Sequence, residues 1–361
     1  MTLATKKNFN VAAHGMRGIA SLMVFFAHLL GGVGKHVYSD NAQYLDYIQR
    51  TWNFGIYGVE LFFVISGFVI VPSVLKYAPK DFAARRFVRI YPLFFVMSVI
   101  FVILNKLTLR QPELNDPVTV VSGFLFLNLF TGTEQLTPNA WTLTYEVMFY
   151  SLIYFLFYAV RLARATYLKA LAIGACIVFV VFFPITLYFA IGVIVRFLLD
   201  NGYTCRGIFA RTMEIVFAAL CIYLATEPHF EYTWEAMRNP VAPATMISTG
   251  LYFYLAVSSD SLTTKLVKNR IISYFGVVSY SLYLVHPYVY LSCRMFFVKF
   301  GFFTDNVLES MTMFFLITTL FTVPVTHVFH ILLERGPYQF VFKRRVYNLG
   351  RQKPLQKAEN A

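Results

Sequence analysis

Apolar runs separated by short polar stretches set the rhythm of this chain. Ten of them, near 12–33, 54–75, 88–105, 143–160, 166–182, 184–200, 210–226, 241–257, 271–292 and 311–333, match the roughly 17–25 residues a helix needs to cross hydrocarbon. The pattern predicts an all-α polytopic membrane bundle of about ten transmembrane helices, with both termini on the cytoplasmic side. A further apolar stretch, 118–130 (VTVVSGFLFLNLF), is too short to span. It reads as a re-entrant or interfacial segment with both ends outside. The first run follows Lys6 and Lys7, as a signal peptide's core would. It is too long for one, carries Arg17 and His28, and lacks a small-residue cleavage site, so it is expected to stay as a helix.

Composition strengthens the membrane reading. Of 361 residues, 58% are hydrophobic and only 14% charged, against about 25% charged in ordinary soluble domains. One water-soluble core of this size cannot hide that much apolar surface. The four cysteines, Cys176, Cys205, Cys221 and Cys293, sit in or beside apolar segments without close pairing. They make neither a metal site nor a disulfide framework and read as small buried apolar residues.

The net charge of +13 invites comparison with nucleic-acid binders, but the placement of the charge argues otherwise. With the N-terminus inside, 23 of the 31 Lys and Arg fall on cytoplasmic segments. Seven fall on exterior loops, and Arg17 lies within the first helix. That is the positive-inside bias, and no nucleic-acid partner is needed to explain it. The basic, polar stretch 341–361 reads as a cytoplasmic tail.

Ionisable side chains inside spanning helices are costly and therefore mark function by default. Arg17 and His28 are eleven residues apart, three helical turns plus about 20°, so they share one face about 16 Å apart. A snorkelling arginine and a packed histidine are the bland alternative. Glu60, in GVELFFVISGF, lies at a depth close to that of His28. It either orients and stabilises that imidazole or pairs with another buried polar group. Ser66 and Gly67 suggest the GxSG motif of rhomboid proteases, but Val64 stands where its first glycine belongs. Gly58, Ser66 and Gly67 then read as small residues for close helix packing.

Arg85, Arg86 and Arg89 cluster in RRFVRIYP at the membrane boundary. Generic positive-inside charge and phosphate binding by forked guanidinium groups both fit. In PNAWTLTYEVMFY, Asn139 reads as a helix cap and Trp141 as an interfacial aromatic. Glu146, in a Trp141 and Tyr145 setting, resembles a sugar-facing site. His286, before Pro287 in FGVVSYSLYLVHPY, reads as structural, and His327, His330 and Glu334 as packing and anchoring residues. No spacing suggests a metal.

Taken in order, RGIASLMVFFAHL, GVELFFVISGFVI, FAARRFVRIYP, WTLTYEVMFY, YFAIGVIV, FGVVSYSLYLVHP and ERGPYQF resemble the acyltransferase-3 family of bacterial membrane acyltransferases. The WTLTYE form is most similar to its exopolysaccharide and O-antigen O-acetylases. The resemblance runs from Arg17 to Pro337 and implies one transmembrane acyltransferase domain over 1–340. It also implies residence in the bacterial inner membrane and transfer of an acyl group, commonly acetyl, from cytoplasmic acetyl-CoA to a carbohydrate hydroxyl. The acceptor would be a cell-envelope or exported polysaccharide or its lipid-linked precursor, with polysaccharide-assembly machinery as a partner.

Carried over residue by residue, the resemblance implies a catalytic His28, and Arg86 and Arg89 as an acyl-CoA motif. Arg17, Glu60, Trp141 and Glu146 fall on recurrent motif positions. One departure is Gly336, which separates Glu334–Arg335 from Pro337. The candidate set is then His28 and Glu60 for catalysis, Arg17, Arg85, Arg86 and Arg89 for acetyl-CoA, and Trp141, Tyr145 and Glu146 for the acceptor. His28 could act as general base or carry the acetyl group itself. The rival reading is a membrane transporter exporting a polysaccharide or small metabolite, for which paired broken helices would speak. None is evident in the sequence.

Overall fold

The computed structural model describes residues 9–33, 36–108, 111–161, 165–226 and 232–342. Nearly all of the 341–361 stretch read as a basic tail therefore lies outside the described residues. Among those described there is no strand, and ten helices of 14 to 30 residues carry the fold. In chain order these are α1 (Val11–Phe26), α2 (Gly58–Lys76), α3 (Pro79–Thr108), α4 (Trp141–Arg161) and α5 (Thr166–Phe182). They continue as α6 (Leu187–Asp200), α7 (Ile208–Ala225), α8 (Val241–Ala256), α9 (Arg270–Lys299) and α10 (Val307–Phe329). One helix stands at each of the ten apolar runs.

Length and apolar composition qualify six helical stretches as candidate membrane spans among the described residues. A seventh arises if α5 and α6 count as one broken span, since they bend by 119° at Phe183–Pro184. With 17 and 14 residues, each arm is only about 25 and 21 Å long, short of a hydrocarbon core of about 30 Å. Two expected spans do not pass the same criterion. α8 is short, with 16 residues. α9 has 30 residues, about 45 Å, but carries buried Ser279, Ser281, Tyr283 and His286 along its middle. Those polar positions point into the protein, so α9 is a core element whose chemistry lowers its hydropathy.

The centre of the bundle is α1, α2 and α9, with α6 against α2 and α10 against α9. Small residues permit the close approaches. A Cβ at Gly67 would overlap the Phe189 carbonyl oxygen, and one at Gly192 would overlap that of Val64, which locks α2 to α6 backbone against backbone. Gly18 and Gly276 do the same for α1 and α9. Toward the periphery, α5 and α7 expose Ile173, Ile177, Val181, Ile215 and Ile222, a surface suited to lipid and not to water.

The 118–130 stretch does not span. Asp116 caps a helix of eight residues, Pro117–Phe124, by accepting from the Val118 and Thr119 amides. The chain then reverses at Phe126, whose φ of 57° is unfavourable for a side chain this large. Stacking of Phe126 on Phe94, with centroids 4.4 Å apart, offsets that strain.

Candidate active site

The polar interior begins where α1 starts and α2 ends. Asn10 caps α1, its side chain accepting from the Ala13 amide at 2.9 Å and donating to the Val257 carbonyl at 2.8 Å. This anchors the turn that carries His14 and Arg17. Beside it lies a cavity of about 440 Å³ lined by His14, Arg17, Lys76, Arg86, Arg89 and Arg196, with no carboxylate among the described residues of its wall. A second cavity, of about 480 Å³, shares Ser73, Tyr77, Arg86 and Arg89 with the first and adds Arg85, His330, Glu334 and Arg335.

Arg86 and Arg89 stand three residues apart on α3 and so face the same way. The Arg86 guanidinium donates to Ser73 Oγ at 2.8 Å and lies 5.0 Å from the Tyr150 ring centroid. Arg85 is engaged differently. It donates to the Tyr338 hydroxyl at 3.0 Å and packs between the Tyr77 and Phe342 rings at 4.4 and 4.5 Å. It thereby fastens the segment after α10 across the second cavity.

Arg17 also lines a narrow slot of about 40 Å³ that leads deeper, walled by Phe62, Ser66, Thr142, Glu146 and Tyr283. Glu146 is fixed there by Ser66 Oγ, which donates at 2.8 Å, and by the Tyr150 hydroxyl. It faces Arg17 in the interior and does not sit with Trp141. Trp141, 37% exposed, packs edge-on against Tyr145 at 5.9 Å, and Tyr145 against Phe183 at 5.3 Å. These rings form a separate shelf on the outside of α4.

Past the slot, hydrogen bonds continue from Tyr283 to the histidines. Thr142 Oγ1 and the Tyr283 hydroxyl lie 3.0 Å apart. Asn139 donates from Nδ2 to the Tyr283 carbonyl at 3.2 Å and lies 3.4 Å from His286 Nε2. His286 Nε2 is 3.0 Å from His28 Nδ1, with ring centroids 5.3 Å apart and ring planes within 19° of each other, an edge-to-edge contact. His28 sits in a π-helical turn, Ala27–Gly31, that interrupts the end of α1. Such turns re-aim side chains and recur at functional sites.

The family model described as an acyltransferase domain, acyltransferase-3, matches residues 10–331. The chain belongs to the acyltransferase-3 family. No curated protein and no solved structure matches it. This acyltransferase-3 chain is thus a multi-pass membrane protein with an Arg-lined entrance at one end of its polar interior and a histidine pair further in.

The structure brings Arg17, Arg86 and Arg89 together in one cavity wall and places Arg17 also in the slot that holds Glu146 and Tyr283. Glu60 is 5% exposed, and its Oε2 has no hydrogen-bond partner among the described residues, while the partner of His28 Nδ1 is His286 Nε2. Sequence reasoning missed His286 as that partner, and it missed Asn139, whose amide crosses to α9. The signal was available in part, because His286 shares an inward stripe with Ser279 and Tyr283. Glu334 was also underrated. It accepts from Ser281 at 2.7 Å and pairs with His330 at 2.9 Å in the cavity wall. Among the described residues no three His, Cys, Asp or Glu side chains gather to hold a metal ion.

Proposed function

We propose that this protein is an O-acyltransferase of the bacterial inner membrane. In this reading acetyl-CoA is the donor, and a hydroxyl of a cell-envelope or exported polysaccharide, or of its lipid-linked precursor, is the acceptor. The observation that carries the reading is an arginine-lined cavity that meets, at Arg17, a slot ending at Tyr283, from whose carbonyl hydrogen bonds lead through Asn139 to a paired histidine. Residues 1–340 act as one transmembrane unit with both termini cytoplasmic, and 341–361 is a basic cytoplasmic tail. The charge distribution supports this orientation, since it puts the Arg entrance on the side where CoA is made.

The donor's phosphates bind Arg17, Arg86 and Arg89, because guanidinium forks match phosphate oxygens and a charged nucleotide cannot enter hydrocarbon. Arg85, already occupied by Tyr338, closes the mouth. The uncharged arm of CoA runs along the Arg17–His28 face of the first helix. His28 takes the proton of the acceptor hydroxyl as its oxygen attacks the thioester carbon. The C–S bond breaks, and the proton passes to the departing thiolate, giving an ester and free CoA. Glu60 supports the His28 end of the site from within α2, Trp141 and Tyr145 offer stacking faces to a sugar, and Glu146 meets the acceptor from the interior slot. Polysaccharide-assembly proteins supply the acceptor.

The test is transfer of labelled acetyl from acetyl-CoA to envelope glycans by the purified protein in nanodiscs. Transfer by the native chain and its loss in His28→Ala, with folding intact, are expected. Undiminished transfer by the variant would remove His28 from the chemistry. No CoA release by the native protein would leave the transporter reading in its place.

A further inference from the structure

The contacts of His286 fix where its proton lies and which way its bond to His28 runs. The Leu282 carbonyl can only accept, and His286 Nδ1 lies 2.7 Å from it, so that nitrogen carries a proton. Neutral His286 then presents an unprotonated Nε2. The Asn139 amide is oriented by its bond to the Tyr283 carbonyl, so the group 3.4 Å from His286 Nε2 is an NH₂ donor, which agrees with an accepting nitrogen. His28 Nδ1, 3.0 Å from the same Nε2, must therefore donate. Neutral His28 keeps its proton on Nδ1, and Nε2 is its basic nitrogen.

We infer that His286, set by the Leu282 carbonyl and the Asn139 amide, is a positioning residue that holds His28 in its Nδ1–H form and shares the charge when His28 takes a proton. The inference rests on the acyl-transfer reading and names the partner that makes it work. In hydrolytic triads a carboxylate fills this position. Here the partner is a neutral ring with 0% exposure, so the resting site carries no unpaired ion in the apolar interior, where one is costly. As the acceptor hydroxyl gives its proton to His28 Nε2, the Nδ1 proton shifts toward His286 Nε2 across the 3.0 Å contact. It returns when Nε2–H protonates the departing thiolate, so both rings end as they began. The π-turn at Ala27–Gly31 and the near-coplanar setting of the two rings keep the contact in register.

The test has two arms. In ¹⁵N-histidine-labelled protein, with His28 assigned through His28→Gln, the His28 ring should read as Nδ1–H. In His286→Leu it should move toward the Nε2–H form favoured by free imidazole. In turnover, His286→Leu should lower kcat by roughly 10²-fold, the lower end for losing general-base assistance, with KM for acetyl-CoA changed less than about twofold. His286→Gln, whose Oε1 accepts near the Nε2 position, should recover at least about a tenth of native kcat; a purely space-filling role predicts no such rescue. An Nε2–H His28 in the native protein, or a His286→Leu kcat within about threefold of native, would overturn the inference. If His286→Leu does not fold, the tautomer of the native protein and the kcat of His286→Gln decide alone. Native protein that releases no CoA would sink the acyl-transfer reading by itself, because the tautomer is read without turnover.

Discussion

At the residue scale the two ends of the site make separable demands. In the proposed reaction Arg86 and Arg89 hold a charged group that does not change, so their loss should act on donor binding. Charge-assisted hydrogen bonds contribute about 1.5–3 kcal/mol each. Arg86→Ala or Arg89→Ala should therefore weaken acetyl-CoA binding by roughly 10- to 100-fold, read by calorimetry on detergent-purified protein. Unchanged affinity in both would return them to topology markers. Arg17, His28 and the Arg86/Arg89 pair were legible in the sequence because an ionisable group in an apolar run stands out. His286 and Asn139 were less so. A histidine beside a proline and an asparagine before a helix each have an ordinary local explanation, and only the crossing of α4 and α9 brings them to one another. The role of Glu60 depended on depth alone, and depth does not say which way a helix face turns.

Helix-scale features explain how the bundle holds these groups. The α2–α6 contact depends on the missing side chains at Gly67 and Gly192, where added atoms meet carbonyl oxygens that cannot withdraw. Gly192→Val should force these helices apart and destabilise the protein by several kcal/mol, of the order seen for overpacking or more. A lower melting temperature in detergent checks this, and an unchanged one would mean that the helices re-pack freely. A second element-scale device is Glu214, 3% exposed on α7. Its carboxylate accepts from the Leu262 and Thr263 amides at 2.8 and 2.7 Å, capping the short helix Leu262–Val267 beside α1. Glu214→Ala should cost about 2–3 kcal/mol by leaving two amides unmet, again read as a loss of thermal stability. Every long apolar run became a helix, because hydrophobic length is a strong local signal. The 119° reversal at Phe183–Pro184 was read as a boundary between two spans, since a proline at a helix start does not reveal the angle of the turn.

At the scale of the whole molecule, the bundle separates two chemistries that cannot mix in water or lipid. An arginine cluster suited to phosphates occupies one end, an imidazole pair lies deeper, and a slot of about 40 Å³ runs from Arg17 past Glu146 to Tyr283, whose carbonyl the hydrogen bonds through Asn139 link to His286. The proposed orientation predicts that a reporter active only in the cytoplasm, fused after Ala361, will be active. An inactive fusion of a stable protein would invert the orientation and place the Arg entrance on the wrong side for CoA. The central claim is that both ends serve one reaction, and steady-state CoA release by purified protein supplied with envelope glycan and acetyl-CoA tests it most directly. The account predicts that Arg89→Ala raises KM for acetyl-CoA with kcat nearly kept, while His28→Ala lowers kcat by about 10²–10⁴-fold with donor binding intact. Full activity in His28→Ala, or an unchanged KM in Arg89→Ala, would contradict it.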